Sequence, residues 1–168
     1  MKTIWFCSED KNEVALTSIA ELVGEELIKR EQNVELIVQS EVQEILGKGL
    51  KDTPEDKSTF TDRLGFLGQL LHRNNVFALI VSINTTQEDR KKIKEEYGNY
   101  IGIETHGNAS LLADIILDSK SDSTKNAKKI IDYLINQKLI QNEADGFNVY
   151  SEEEEQEIRK RLEDLGYV

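Results

Sequence analysis

The sequence predicts an α/β domain built on a parallel sheet, for three reasons. Short apolar runs alternate with amphipathic helical stretches along most of the chain, and strands alternating with helices fold as parallel sheets with right-handed crossovers. The longest apolar run, Phe77–Ile83, shows no polar/apolar alternation, as a central strand covered on both faces requires. Helix-start signals stand ahead of that run at Thr53-Pro54 and just behind it at Thr86.

Taken in order, Ile4–Cys7 is the first strand, followed by a helix whose stripe is Leu16, Ala20, Val23 and Leu27, spaced three or four residues apart. Val34–Val38 is a second strand, and Glu41–Leu46 a short helix stopped near Gly47 and Gly49. Asp52-Thr53-Pro54 opens a helix with a capping side chain ahead of proline, and Phe60, Leu64, Leu67 and Leu71 share its inner face. After the Phe77–Ile83 strand, Thr86-x-x-Asp89 is a capping box for a charged helix reaching Tyr97. Tyr100–Glu104 and Asp114–Leu117 are two further strands, and Ser123–Gln137 is a helix with Ala127, Ile130, Ile131 and Leu134 facing inward. These elements make a domain over residues 1–140, and 141–168 is an acidic helical extension. There Ser151-Glu152-Glu153-Glu154 is a capping box, Ile158, Leu162 and Leu165 form a narrow apolar stripe, and Gly166 stops the helix.

Composition limits the function classes. At 168 residues the chain suits one core, since a domain near this length buries roughly two thirds of its unfolded surface. A net charge of −11 argues against nucleic acid or an anionic membrane, because both are bound by clustered Lys and Arg. The single cysteine, Cys7, closes no internal disulfide, and with two histidines a Cys/His metal site has too few ligands. No metal and no cofactor are expected. No apolar run approaches the ~20 residues of a membrane span, and the first strand is too short for a signal-peptide core. A soluble, unprocessed protein of the reducing cytoplasm is expected.

The turn after the first strand, Cys7-Ser8-Glu9-Asp10-Lys11-Asn12-Glu13, has no glycine and three carboxylates. A strand–turn–helix that cradles phosphate needs glycines to turn backbone N–H groups inward, a lysine for the outer phosphates and a hydroxyl for Mg²⁺. Glu9, Asp10 and Glu13 repel that anion, and the following Val14-Ala15-Leu16-Thr17-Ser18 places no Lys-Ser or Lys-Thr pair in any register.

Several stretches together resemble the adenylylsulfate (APS) kinase family. They are Thr3-Ile4-Trp5-Phe6, Ser18-Ile19-Ala20-Glu21-Leu22, Pro54-Glu55-Asp56-Lys57, Arg63-Leu64-Gly65, Glu88-Asp89-Arg90, Ile115-Ile116-Leu117-Asp118 and the helix end Tyr133–Ile140. The resemblance spans about residues 2–140 and implies a P-loop-kinase-like three-layer sandwich with a five-stranded parallel sheet in the order 2-3-1-4-5. It also implies phosphorylation of the adenylylsulfate 3′-hydroxyl by Mg·ATP, and pairing of protomers. The family's phosphate loop (Walker A) falls on Ser8–Ala15, setting Val14 where the lysine belongs; a two-residue insertion sets Leu16 there instead. Its Asp-Gly-Asp-Asn falls on Val38-Gln39-Ser40-Glu41, and the arginine after it becomes Gln43. Its substrate-holding Arg-x-x-Asn falls on Lys57 and Phe60, where lysine lacks the planar fork of arginine. The Ser-Pro-Tyr-Arg after the third strand falls on Ile83–Gln87 with a deletion, and a substrate lid shrinks to Thr105–Ala113.

The expectation is therefore a catalytically inactive, APS-kinase-like protein, a pseudokinase with a degenerate phosphate loop. It would serve a binding, regulatory or scaffolding role in sulfate assimilation, through sulfate activation or sulfate transfer. Its partner would be a second copy, as a homodimer, or a sulfate-metabolism enzyme. The alternative is an enzyme with a rebuilt site, a residual nucleotide- or adenylylsulfate-binding kinase or transferase, using Asp10, Glu13, Glu41 and Lys57 with Mg²⁺. Cys7 is expected to be inert packing and His72 a helix C-terminal cation. His106, in a loop at the carboxyl edge of the sheet, is a possible ligand-binding residue, though most loop histidines are simply solvated. Glu152–Glu155 is a solvated first turn of helix.

Overall fold

The computed structural model describes residues 2–8, 12–83, 85–98, 100–105, 113–118 and 120–142. Strands β1 (Thr3–Ser8), β2 (Asn33–Val38), β3 (Val76–Ser82), β4 (Ile101–Thr105) and β5 (Ile115–Leu117) form one sheet in the order β2-β3-β1-β4-β5. Every neighbouring pair is parallel, as expected. Ile4 lies across from Leu79 and Trp5 from Ile80, so Trp5 and Leu79 stand on adjacent central strands.

Helices α1 (Glu13–Lys29), α2 (Gln39–Leu46), α3 (Pro54–Arg73), α4 (Gln87–Tyr97) and α5 (Ser123–Asn136) complete a three-layer sandwich. Side chains of a strand alternate between faces, and β1 follows that rule. Ile4 and Phe6 join the core under α1 and α5, while Trp5 and Cys7 join the core under α3 and α4. Ile4, Trp5 and Phe6 are wholly buried, each worth roughly 1.5–3 kcal/mol by area. The expected caps form: Thr53 accepts from the Asp56 N–H, and Thr86 and Asp89 close a reciprocal capping box.

Two expectations need correction. The short helix begins at Gln39, directly on β2, rather than at Glu41, so no loop separates strand from helix and Val38 offers its first turn no side-chain cap. Tyr100 precedes β4, packed with its ring tilted on Trp5 at a centroid distance of 5.5 Å. His72 lies in the last turn of α3, as expected, where burial and the charge of Lys2 push its pKa below the usual histidine value. The acidic extension from Glu143 onward lies outside the described residues.

Helix α3 sits on the sheet through Gly68, where an added Cβ would stand 3.0 Å from both the Ile80 and Thr3 side chains. Thr3 Oγ1 also donates to the Gly68 carbonyl at 3.2 Å. Gly68→Leu is expected to destabilise the fold by about 1–3 kcal/mol through overpacking, read as a lower urea midpoint. An unchanged midpoint would show that α3 has room to shift.

Candidate functional site

In doubly wound sheets ligands bind outside the carboxyl ends of the strands, and most of the singled-out residues gather there. Ser8 ends β1 and pairs with Thr105 of β4. Glu9, Asp10 and Lys11 lie outside the described residues, as does His106. Asn12 caps α1, its side chain accepting from the Ala15 N–H at 3.1 Å. Glu13, the first residue of α1, reaches sideways and accepts the Ser40 N–H at 3.2 Å. A carboxylate thus satisfies one of the free N–H groups that begin every helix, here at the uncapped start of α2. Val14 is left 78% exposed, and Thr17 donates back to the Glu13 carbonyl at 2.9 Å.

A second cluster lies beside it. Val38, the buried end of β2, leads into Gln39, whose Oε1 accepts the Ile83 N–H at 3.2 Å and ties the ends of β2 and β3 together. Gln39 and Gln43 line a cleft of about 400 Å³ whose other walls include Asp52, Asp56, Lys57 and Phe60. Phe60 is buried at its base, and Lys57 pairs with Asp52 at 2.7 Å. The hydrogen bond and charge of Lys57 hold the Asp52 carboxyl below the usual range. Asp56 accepts the Lys51 N–H at 2.8 Å, and Arg63 donates to the Leu46 carbonyl, so the intervening loop is fastened at both ends. Lys57 and Phe60 therefore share one cleft, Ser40 meets Glu13, and Glu41 stands exposed outside both.

A third group, above the end of β1, had no place among the expected site residues. Arg90 of α4 pairs with Glu104 of β4 in a nearly closed environment, with side chains 7% and 15% exposed. The Tyr100 hydroxyl donates to the Arg90 carbonyl at 3.4 Å. Beside them Trp5 Nε1 donates to Ser82 Oγ at 2.9 Å, and Ser82 bonds Thr85 in turn. The signal for Arg90 was present in the spacing: Arg90, Ile93 and Tyr97 recur three and four residues apart on one helical face. Cys7 is enclosed here as expected of packing. Burial pushes its thiol up to about 12, outweighing the downward pull of Arg90.

Two outcomes follow from this group. Arg90→Met strands a buried carboxylate and is expected to cost about 3–5 kcal/mol, most of it recovered in Arg90→Met/Glu104→Leu; equal losses in the two variants would show the pair to be uncoupled. For Cys7, the unfolded thiol ionises near 9.0 and the folded one only near 12. Between those values the unfolded state binds fewer protons, so this group's effect is to lower stability as pH rises above 9.0. Cys7→Ala is expected to flatten the alkaline limb of a urea-midpoint-against-pH curve, and an unchanged limb would contradict the assignment. Iodoacetamide should label the native protein at pH 8 only as it unfolds.

Residues 2–121 match the family model for adenylylsulphate kinase. The adenylyl-sulfate kinase of Deinococcus deserti is 32% identical over 92 residues, 55% of this chain and 50% of that protein. That of Microcystis aeruginosa is 28% identical over 98 residues, 58% of this chain and 54% of that one. The chain thus spans about half the length of the curated relatives it matches. Among solved structures, a hexameric APS kinase from Thiobacillus denitrificans superposes with a TM-score of 0.71 at 15% identity, over 83% of this chain and 30% of that one. The Mycobacterium tuberculosis APS kinase, determined with AMPPNP and APS, gives 0.69 at 17% identity, over 79% and 96%. At such identities the superpositions speak for the fold, which is the same sheet and strand order derived above. With the family model covering most of the described domain, the chain belongs to the adenylylsulfate kinase family.

Proposed function

We propose that this chain is a catalytically inactive member of the family, retained to bind, regulate or scaffold an enzyme of sulfate activation or sulfate transfer. The observation that carries the reading is Glu13. It is the first residue of the helix that follows β1, it is a carboxylate, and its charge is directed at the Ser40 N–H. Helix N-termini in nucleotide-binding folds hold phosphate with free N–H groups and a lysine. Here the first turn of α1 presents Glu13 and the exposed, apolar Val14, so Mg·ATP does not fit the residues present.

Phosphoryl transfer rests on positioning and on spreading charge over lysine, arginine and metal, and one lost oxyanion-type donor alone costs about 2.7–4 kcal/mol of barrier. The only family substrate position that keeps a cation, Lys57, is turned toward Asp52 in an exposed ion pair. The single cysteine is consistent with a reducing, cytoplasmic setting. No helix among the described residues is long and apolar enough to cross a membrane. A partner in the form of a second copy is supported by the hexameric relative, and a sulfate-metabolism enzyme by the family itself.

One observation favours a second reading, in which the site is rebuilt to bind a small molecule. The cleft beside Lys57 and Phe60 keeps about 400 Å³ with two glutamine amides in its wall. Calorimetric titration separates the readings. Neither Mg·ATP nor adenylylsulfate is expected to saturate at micromolar concentration, and no 3′-phosphorylated product should form. Saturable binding of adenylylsulfate alone would support the rebuilt site, and turnover would overturn the inactive reading. Replacing Glu9, Asp10 and Glu13 by glycine is expected to leave activity absent, since no lysine is restored.

A further inference from the structure

Helices α1 and α5 pack side by side on the outer face of the sheet, and a groove of about 410 Å³ runs between them. Its floor is apolar, formed by Leu22 on one side and Ala127, Ile131 and Ile135 on the other. Asn142, the last described residue before the C-terminal segment, lines the same groove. It also lies beside Arg30, Glu31 and Gln32, at the end of the sheet where α1 finishes. The chain therefore leaves the described domain at the mouth of an apolar trough.

We propose that residues 151–165 form a helix that docks in this α1–α5 groove of the same molecule, seating Ile158, Leu162 and Leu165 on its floor. An isolated helix of this length is marginal in water, so its stripe needs a covering surface. Residues 143–150 span up to about 26 Å when extended, and α5 is about 21 Å long, so reach alone allows either direction. The charge blocks fit both directions, and the shorter linker path selects one. From the end where Asn142 emerges, the groove is lined by Lys29 and Arg30, both paired with Glu26, then by Glu25 and Asp132, then by Lys128, with Lys138 beyond the near end and Lys125 one turn past the far end. The segment carries Glu152–Glu155 and Glu157, then Arg159, Lys160 and Arg161, then Glu163 and Asp164. Run antiparallel to α1 and α5, the three blocks meet opposite charges in succession; run the other way, each outer acidic block still finds lysines, but Glu152–Glu157 lies at the distal end and the linker must cover the groove floor. The inference does not depend on whether the domain retains kinase activity.

Hydrogen exchange of the full-length chain, followed by mass spectrometry with light scattering alongside, tests it. In monomeric protein the amides of 151–165 should exchange at least about tenfold more slowly than an unstructured chain. Leu162→Asp should abolish that protection and speed exchange on the outer faces of α1 and α5, without unfolding a domain to which residue 162 does not belong. Glu25→Lys/Asp132→Lys and Arg159→Glu/Arg161→Glu should each weaken protection, and their combination should restore it. Four results would each overturn the proposal: an unprotected segment in the intact chain, protection that appears only as concentration rises and a second copy binds, protection gained only with another protein, or charge reversals that change nothing.

Discussion

The burial of β1 on both faces is the constraint on which the rest of the structure depends. A strand whose Ile4, Trp5 and Phe6 are all inaccessible needs a neighbour on each side and a helical layer above and below. β3 and β4 supply the neighbours, α1 with α5 one layer, and α3 with α4 the other. Because every strand is parallel, all five carboxyl ends open on one edge, where α1 and α2 begin. Glu13 meets Ser40, and Gln39 meets Ile83, for this reason, although 27 and 44 residues separate them in the sequence.

What those neighbours do to one another sets the character of the edge. Glu13 meets the Ser40 N–H, Gln39 the Ile83 N–H, Trp5 the Ser82 hydroxyl and Arg90 the Glu104 carboxylate. Each contact satisfies a polar group from within the domain itself. A site in an active enzyme commonly keeps such groups unsatisfied or strained, at a cost in stability. Here these groups bond one another, joining adjacent strands and helices at the carboxyl edge of the sheet.

Much of the fold was legible because local signals agreed with each other. Pro54 behind Thr53, Thr86 with Asp89, and the uninterrupted Phe77–Ile83 run each named an element whose ends the structure places within a residue or two. The start of α2 was not legible, because its first N–H group is met by Glu13 from a different helix, a tertiary contact with no mark in the local sequence. At the candidate site, the absence of glycine and lysine after β1 was plain in the sequence, and so was the pairing of Lys57 with Phe60. The use made of Glu13, and the Arg90–Glu104 pair, required knowing which strand ends adjoin.

Charge is distributed unevenly along the chain, and this bears on what the surface can attract. Residues 143–168 hold nine acidic and three basic side chains, within a total net charge of −11. The domain up to Asn142 is thus much nearer neutrality than the whole chain suggests. Nucleotides and adenylylsulfate are anions, and a surplus of carboxylates held within a Debye length of about 8 Å at physiological salt disfavours their approach. The same surplus favours a basic protein surface, with most of its effect on encounter rate rather than on affinity. An acidic sequence of this kind attached to a near-neutral domain is electrostatically better matched to a basic protein surface than to an anionic nucleotide.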